Sequence, residues 1–185
     1  MNQNQDRYRN IHKELIEKCR KRDQTAQFEL YKLYYKSMYN ASLRIVQNPS
    51  EAEDIMQEAF LTAFSKIDTY KGEVSFGAWL KKIVINRSID YSRSRKVRFE
   101  KLDEETEDVW HNDDEGDSEI NVKLTSIRKA INMLSDGYRV VLSLYLIEGY
   151  DHDEIGQILN ISSSGSRSQF TRAKQKLVEL LKIKK

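Results

Sequence analysis

Apolar residues along the chain recur at alternating steps of three and four, the spacing that lines one face of an amphipathic helix. Phe28, Tyr31, Tyr35, Met38, Ser42 and Ile45 fall on one stripe of a long helix, which Asn48 and Pro49 end. Ser50 and Glu53 then have capping-box spacing, so a new helix is predicted to open there. Ile55, Ala59, Ala63 and Ile67 form its inward stripe, widened by Met56, Phe60 and Phe64, while Glu51, Asp54, Gln57 and Glu58 mark its other face. A loop containing Gly72 follows. From about Phe76 a third helix buries Trp79, Leu80 and Ile83 and becomes progressively basic.

In the second half, 122–134 reads as one helix and 138–148 as another. The latter carries Val140, Val141, Leu142, Leu144, Leu146 and Ile147, too many apolar residues for a solvated face, so they are expected to form a small core. Asp151 and Glu154 repeat the cap spacing and open a short helix ending at Leu159. Asn160, Ile161 and Ser162 connect it to a final helix reaching about Lys182.

Two helices joined by three residues, the second basic outside, describe a helix-turn-helix. Gly156 in mid-helix costs about 1 kcal/mol against Ala, and close approach of the second helix would account for it. Asn160 sits where a left-handed backbone is often needed. Ile155, Leu159, Ile161 and Phe170 would form the core between the two helices, leaving Ser164, Arg167, Ser168, Thr171, Arg172 and Lys174 outward, a set suited to phosphates and base edges. An ordinary αα-hairpin with a solvated face has the same pattern.

Composition supports the helical reading. Seven glycines and one proline in 185 residues leave little to terminate strands, so the expected fold is all-α. The stretch 100–119 is acidic almost throughout, with Lys101 its one base, and cannot bury enough apolar surface to offset its ordering entropy. It reads as a flexible acidic linker over 99–121 between two small helical domains, 1–98 and 122–185. Cys19 is the sole cysteine, which excludes an internal disulfide and a thiolate zinc site. No apolar run approaches the roughly 20 residues of a membrane helix, and 1–9 lacks a signal-peptide core, so a soluble, cytoplasmic protein is expected.

The net charge of +2 predicts no strong bulk attraction, so the placement of charge matters more than its sum. Over 76–98, Lys81, Lys82, Arg87, Arg93, Arg95, Lys96 and Arg98 face one acid, Asp90, an electrostatic footprint for nucleic acid. Tyr70, Phe76, Trp79 and Tyr91 accompany it and could stack on exposed bases, although Phe76 and Trp79 fit core packing better. The acidic face of Glu51, Asp54, Gln57 and Glu58 would ordinarily be solvated. His12, His111 and His152 are scattered, and neither a Gly-rich phosphate loop nor a Gly-x-Ser-x-Gly elbow occurs. No catalytic residue, metal site, cofactor or small-molecule substrate is predicted. Asp151-x-Asp153 before Gly156 mimics a calcium loop, but Ile155 and Ser162 stand where oxygen ligands belong.

Several motifs in one order resemble the extracytoplasmic-function (ECF) sigma factors of bacteria: Ser50-Glu-Ala-Glu-Asp-Ile-Met-Gln-Glu-Ala-Phe, Ser75-Phe-Gly-Ala-Trp-Leu-Lys-Lys-Ile, Asn86-Arg-Ser-Ile-Asp-Tyr-Ser-Arg, and Glu154-Ile-Gly-Gln-Ile-Leu-Asn-Ile-Ser with Arg172-Ala-Lys. The resemblance implies a factor that binds core RNA polymerase, directs it to promoters and melts them without catalysing a reaction. Glu51, Asp54, Gln57 and Glu58 would dock on the clamp helices of the largest polymerase subunit, and the flap region of core polymerase is a further implied contact. Tyr70, Lys71, Lys82, Asn86, Arg87, Tyr91, Arg93 and Arg95 would read and open the -10 element, capturing an extruded base at the 69–75 loop. Ser164, Arg167, Ser168, Thr171, Arg172 and Lys174 would read the -35 element as duplex. An anti-sigma protein, in this family commonly membrane-anchored, is an implied partner. Ser164, Gly165 and Ser166 depart from the family pattern, so the recognition helix is expected to begin loosely. A stand-alone helix-turn-helix regulator with an N-terminal sensing or dimerisation domain is the competing reading; a helical adaptor would leave the basic run unexplained.

Overall fold

The computed structural model describes residues 12–99 and 119–182, with side chains described over 12–95 and 125–182. Regular structure among them is helical, and the chain divides into two compact units at the Arg98/Phe99 junction. The expected acidic linker lies, for 100–118, outside the described residues. Residues 119–121, given to that linker above, belong to a helix.

The first unit contains α1 (Lys13–Arg20), α2 (Gln24–Val46), α3 (Pro49–Ser65), a 3-10 turn (Ile67–Thr69) and α4 (Phe76–Phe99). Asp23 caps α2, accepting from the Ala26 amide at 3.0 Å. Helix α2 ends on Gln47 in the left-handed region, and the chain re-enters a helix at once. The cap of α3 is Asn48, accepting from the Glu51 amide at 3.1 Å, rather than the expected Ser50. Pro49 explains the shift: it forces the preceding residue to be extended, as a cap must be, and as first helical residue it has no amide to leave unpaired.

The core brings together Leu30 and Met38 of α2, Met56 and Phe60 of α3, and Leu80 and Val84 of α4. Helix α3 buries Ile55, Met56, Ala59, Phe60 and Ala63, as its pattern implied. The N-terminal half of the α2 stripe differs from expectation. Its inward residues are Ala26 and Leu30, while Phe28 and Tyr35 are 59% and 45% exposed. Helix α1, which the apolar pattern did not reveal, packs on this half of α2, and Ile16 and Cys19 enter the core beside Ala26. Phe28 instead carries the Lys32 ammonium 4.9 Å above its ring, and Tyr35 stacks on Tyr31. Across the core, the buried Ser88 hydroxyl of α4 lies 2.9 Å from that of Ser42 on α2.

The second unit comprises α5 (Glu119–Asn132), α6 (Asp136–Leu146), α7 (His152–Leu159) and α8 (Ser163–Lys182). Ala130, Leu134, Val141, Leu142, Leu144, Ile155 and Ala173 are buried. Leu146 and Ile147 are 56% and 47% exposed, contrary to expectation, because α6 ends at Leu146 and the chain turns away through Gly149, at φ 79°. Arg139 is buried but not stranded: it donates to the Leu134 carbonyl at 3.2 Å and the Asp136 carboxylate at 2.7 Å, fastening the turn between α5 and α6.

Candidate nucleic-acid interface

The short helix α7 opens with a complete capping box. An Asp151 carboxylate oxygen accepts from the Asp153 and Glu154 amides at 2.9 and 2.8 Å, and Glu154 accepts from the Asp151 amide at 2.9 Å. Removing such a cap typically costs about 0.5–2 kcal/mol. Asn160 terminates α7 in the left-handed region, at φ 54° and ψ 49°. A Cβ on Gly156 would lie 2.9 Å from the Ile161 carbonyl oxygen and 3.5 Å from the Ser163 nitrogen. The close approach is therefore made by the connecting turn and the start of α8, and that is what glycine permits.

Helix α8 does not begin loosely in the structure. Ser162 accepts from the Gly165 amide at 3.0 Å, and the buried Ser166 hydroxyl lies 2.9 Å from Nδ1 of His152. The His152 ring stacks on Tyr145 at 4.6 Å, and Phe170 packs against both rings. A partly buried hydrogen bond at Ser166 and a ring contact at Phe170 thus fasten α8 to the first residue of α7. On the opposite side Ser164, Arg167, Ser168, Thr171, Arg172 and Lys174 are all exposed. Their spacing keeps them on one helix face. Glu179 is the only acid in α8 and it pairs with Lys176, so the outward face is uniformly cationic and hydroxylic. Tyr150 is pushed up to about 12 by burial, then by Glu148 and Glu154.

In the first unit several of the expected DNA-contacting residues, Tyr70, Arg87 and Arg93, are engaged with their own fold. The Tyr70 ring packs against Phe76 and Trp79 at 5.6 and 5.4 Å, its hydroxyl donates to the Val74 carbonyl at 2.7 Å, and its own carbonyl accepts from Arg20 at 2.6 Å. Tyr70 is therefore an internal brace of loop 70–75. Lys71 is exposed in that loop, and Gly72 turns it at φ 76°. Phe76 is buried and Trp79 partly buried, as packing had favoured. Along α4, Lys82 and Asn86 are exposed, Tyr91 and Arg95 half-buried, and Arg93 lies 3.8 Å from Asp90. The side chains of Lys96 and Arg98 fall outside the described residues.

Arg87 meets the acidic face. Its guanidinium donates to Glu58 at 2.5 Å and to the Thr62 hydroxyl at 2.7 Å. The two helices border a groove of about 820 Å³ whose walls include Glu51, Asp54 and Glu58 from α3 and Asn86, Arg87 and Tyr91 from α4. Residues assigned by the sequence to polymerase and to promoter thus share one groove. Gln57 turns back on its own helix, donating to Glu53 at 3.3 Å. Arg20 was not foreseen; its signal, a basic residue one step past Cys19 on a short amphipathic segment, is weak without the fold. Cys19 beside it is pushed up to about 11 by burial, then by Asp23, and stays a neutral thiol.

Residues 30–98 match the Sigma-70 region 2 family, and 124–177 match Sigma-70, region 4. The ECF RNA polymerase sigma factor SigW of Bacillus subtilis is 31% identical over 180 residues, covering 92% of this chain and 96% of its own length. The chain belongs to the ECF RNA polymerase sigma factors. SigM of the same organism is 30% identical, covering 82% of this chain and 93% of its own. Among solved structures, the sigma factor RpoE in complex with the anti-sigma factor NepR from Bartonella quintana covers 85% of this chain and 97% of its own, with 23% identity and a TM-score of 0.63. CnrH in complex with the cytosolic domain of CnrY covers 92% and 97%, with 21% identity and a TM-score of 0.57. Both share the fold. Membership makes this sigma factor a transcription-initiation factor that works with core RNA polymerase at promoters, and it displaces the stand-alone regulator. No helix among the described residues is long and apolar enough to cross a membrane.

Proposed function

We propose that the two units are separate promoter readers with different substrates, duplex for the second and strand-separated DNA for the first. The observation that carries this is the bare cationic face of α8 on a fully capped and pinned helix-turn-helix. Arg167, Arg172 and Lys174 supply phosphate contacts there, and Ser164, Ser168 and Thr171 are short enough to let the helix enter a major groove at the -35 element. Residues 1–98 act at the -10 element. Loop 70–75, carrying Lys71, captures the extruded base, and α4 guides the displaced strand with Lys82, Asn86, Arg93 and Arg95. The segment between α4 and α5 links the readers.

Asp54, Gln57 and Glu58, with Glu51 at the edge, form the docking face for the polymerase clamp helices. The flap region contacts the second unit. Extruding a base costs a few kcal/mol of stacking and pairing, which loop and channel contacts must offset. No bond is made or broken by the protein; the polymerase performs the chemistry. Tethering two weak readers to one enzyme selects promoters with the right spacing through effective concentration. The neighbouring RpoE structure was solved with the anti-sigma factor NepR, which supports an anti-sigma protein as a further partner here. The factor acts in the cytoplasm.

The test is run-off transcription with purified core polymerase and a genomic promoter library. Transcripts that share -10 and -35 sequences and require the chain are expected. Unchanged transcription without it would refute the proposal.

A further inference from the structure

We propose that Arg20, on α1, is a positioning residue that sets the conformation of loop 70–75 and thereby the base preference at the -10 element. The proposal rests on the reading of that loop as the base-capturing segment.

The loop has few constraints of its own: it follows a single 3-10 turn and contains Gly72 in the left-handed region. Ser75 caps α4 at one end by accepting from the Ala78 amide, and two further hydrogen bonds that fasten the loop run through Tyr70. Arg20 donates to the Tyr70 carbonyl at 2.6 Å, and the Tyr70 hydroxyl donates to the Val74 carbonyl at 2.7 Å. Arg20 is itself held from two sides, 3.4 Å from Glu17 on its own helix and 3.6 Å from Asp68 in the 3-10 turn. Its side chain is only 27% exposed. Arg22 adds a parallel contact to the Phe64 carbonyl at 3.3 Å, so the end of α1 grips both sides of the turn. A guanidinium suits this task because its rigid, planar fork holds a carboxylate and a carbonyl in fixed directions, which the rotatable ammonium of a lysine does less well. Arg20 also lies before residue 30, where the match to the region 2 family begins. The brace is thus supplied from outside the matched segment.

The experiment uses the full chain with core polymerase and a promoter recovered from the run-off library, together with variants altered at one -10 or one -35 base. Open-complex formation on the parent promoter relative to each variant measures discrimination. Arg20→Met is expected to lower -10 discrimination about tenfold, as small misplacements of a recognition group do. Amide exchange at 71–74 in the free protein should quicken, while -35 discrimination and polymerase affinity stay within about twofold. Arg20→Lys should fall between. Unchanged -10 discrimination, unchanged exchange at the loop, or a parallel fall at both elements and in polymerase affinity would each overturn the inference. If Arg20→Met fails to fold, Tyr70→Phe removes the second fastening alone and must show the same selective loss; wild-type discrimination in it is equally fatal. A Lys71→Ala, Glu73→Ala double variant separates the two levels. If it loses -10 discrimination while Arg20→Met keeps it, only the role of Arg20 fails. If it too discriminates normally, the loop is not the reader and the underlying proposal falls.

Discussion

The two units prepare their binding faces in opposite ways. In the second, the internal contacts lie behind the recognition face: His152 holds Ser166, and Tyr145 holds Phe170. Among the described residues neither Arg167 nor Arg172 has an ion-pair partner, so the face is ready for a phosphate as it stands. In the first unit several of the proposed binding residues are themselves internal contacts. Arg87 is spent on Glu58 and Thr62, Arg93 on Asp90, and Tyr70 on its own loop. A partner arriving there must exchange a protein contact for its own. The difference suits the substrates: duplex has a fixed shape that a fixed face can match, whereas an extruded base requires a site that opens with it.

The contrast can be broken most severely at the turn of the helix-turn-helix. Gly156→Val places a branched side chain where even a Cβ is 2.9 Å from a backbone oxygen, and is expected to destabilise the second unit by about 1–3 kcal/mol. In amide hydrogen exchange the loss should fall on that unit, at the buried Leu142 and Leu144, with the buried Leu80 and Val84 of the first unit unmoved. A single common shift would mean that the units do not fold separately. Reversing both Asp54 and Glu58 to Lys should weaken polymerase binding about tenfold or more while far-UV circular dichroism stays constant. Full retention of polymerase in a pull-down would remove the acidic face from the interface.

Smaller effects sharpen the comparison. Arg93→Ala with Arg95→Ala should reduce promoter opening and lower the salt slope of DNA binding by about two, one for each phosphate contact. An unchanged slope would mean that their internal partners retain them throughout. The start of α8 offers a subtler measurement. A loose start at Ser164, Gly165 and Ser166 would give faster amide exchange at 163–166 than at Leu177, whereas the Ser166 amide is bonded to the Ser162 carbonyl and its hydroxyl to His152. Exchange at Ser166 should therefore be slow in the wild type and quicken in His152→Ala.

The least effect concerns Cys19. The folded thiol, raised to about 11, holds its proton more firmly than the unfolded one, so its contribution to stability is complete below pH 9 and is lost as pH rises toward 11. Denaturation midpoints of the wild type and Cys19→Ala should converge over that interval.

Where a local rule decides an element, the sequence was enough. Asp151, Glu154 and Asn160 delimit α7 because capping and left-handed backbone are matters of a few neighbouring residues. Ser50 misled because Pro49 and Asn48 answer the same requirement better within the two residues before it. Helix α1 escaped notice because eight residues with only Ile16 and Cys19 buried scarcely establish a period. Without α1, the aromatics Phe28 and Tyr35 looked like the natural stripe of α2. At the interface, residue type and face predicted the exposed set on α8 but could not foresee that Arg87 reaches a carboxylate 29 residues away, or that Arg20 reaches a carbonyl 50 away. Such pairings depend on how helices cross, which the periodicity of one segment does not contain.

The junction between α2 and α3 has no slack, since Gln47 and Asn48 alone reverse the chain. One residue inserted within the opening turn of α3 would advance everything beyond it by about 100° around the axis. The hairpin could then keep Ile55 and Ala59 facing inward by surrendering its entry geometry, or keep the entry and bring Asp54 and Glu58 toward the oil. Length itself is thus under constraint at this place, and a deletion as small as a single codon would be felt by whatever docks on the far side.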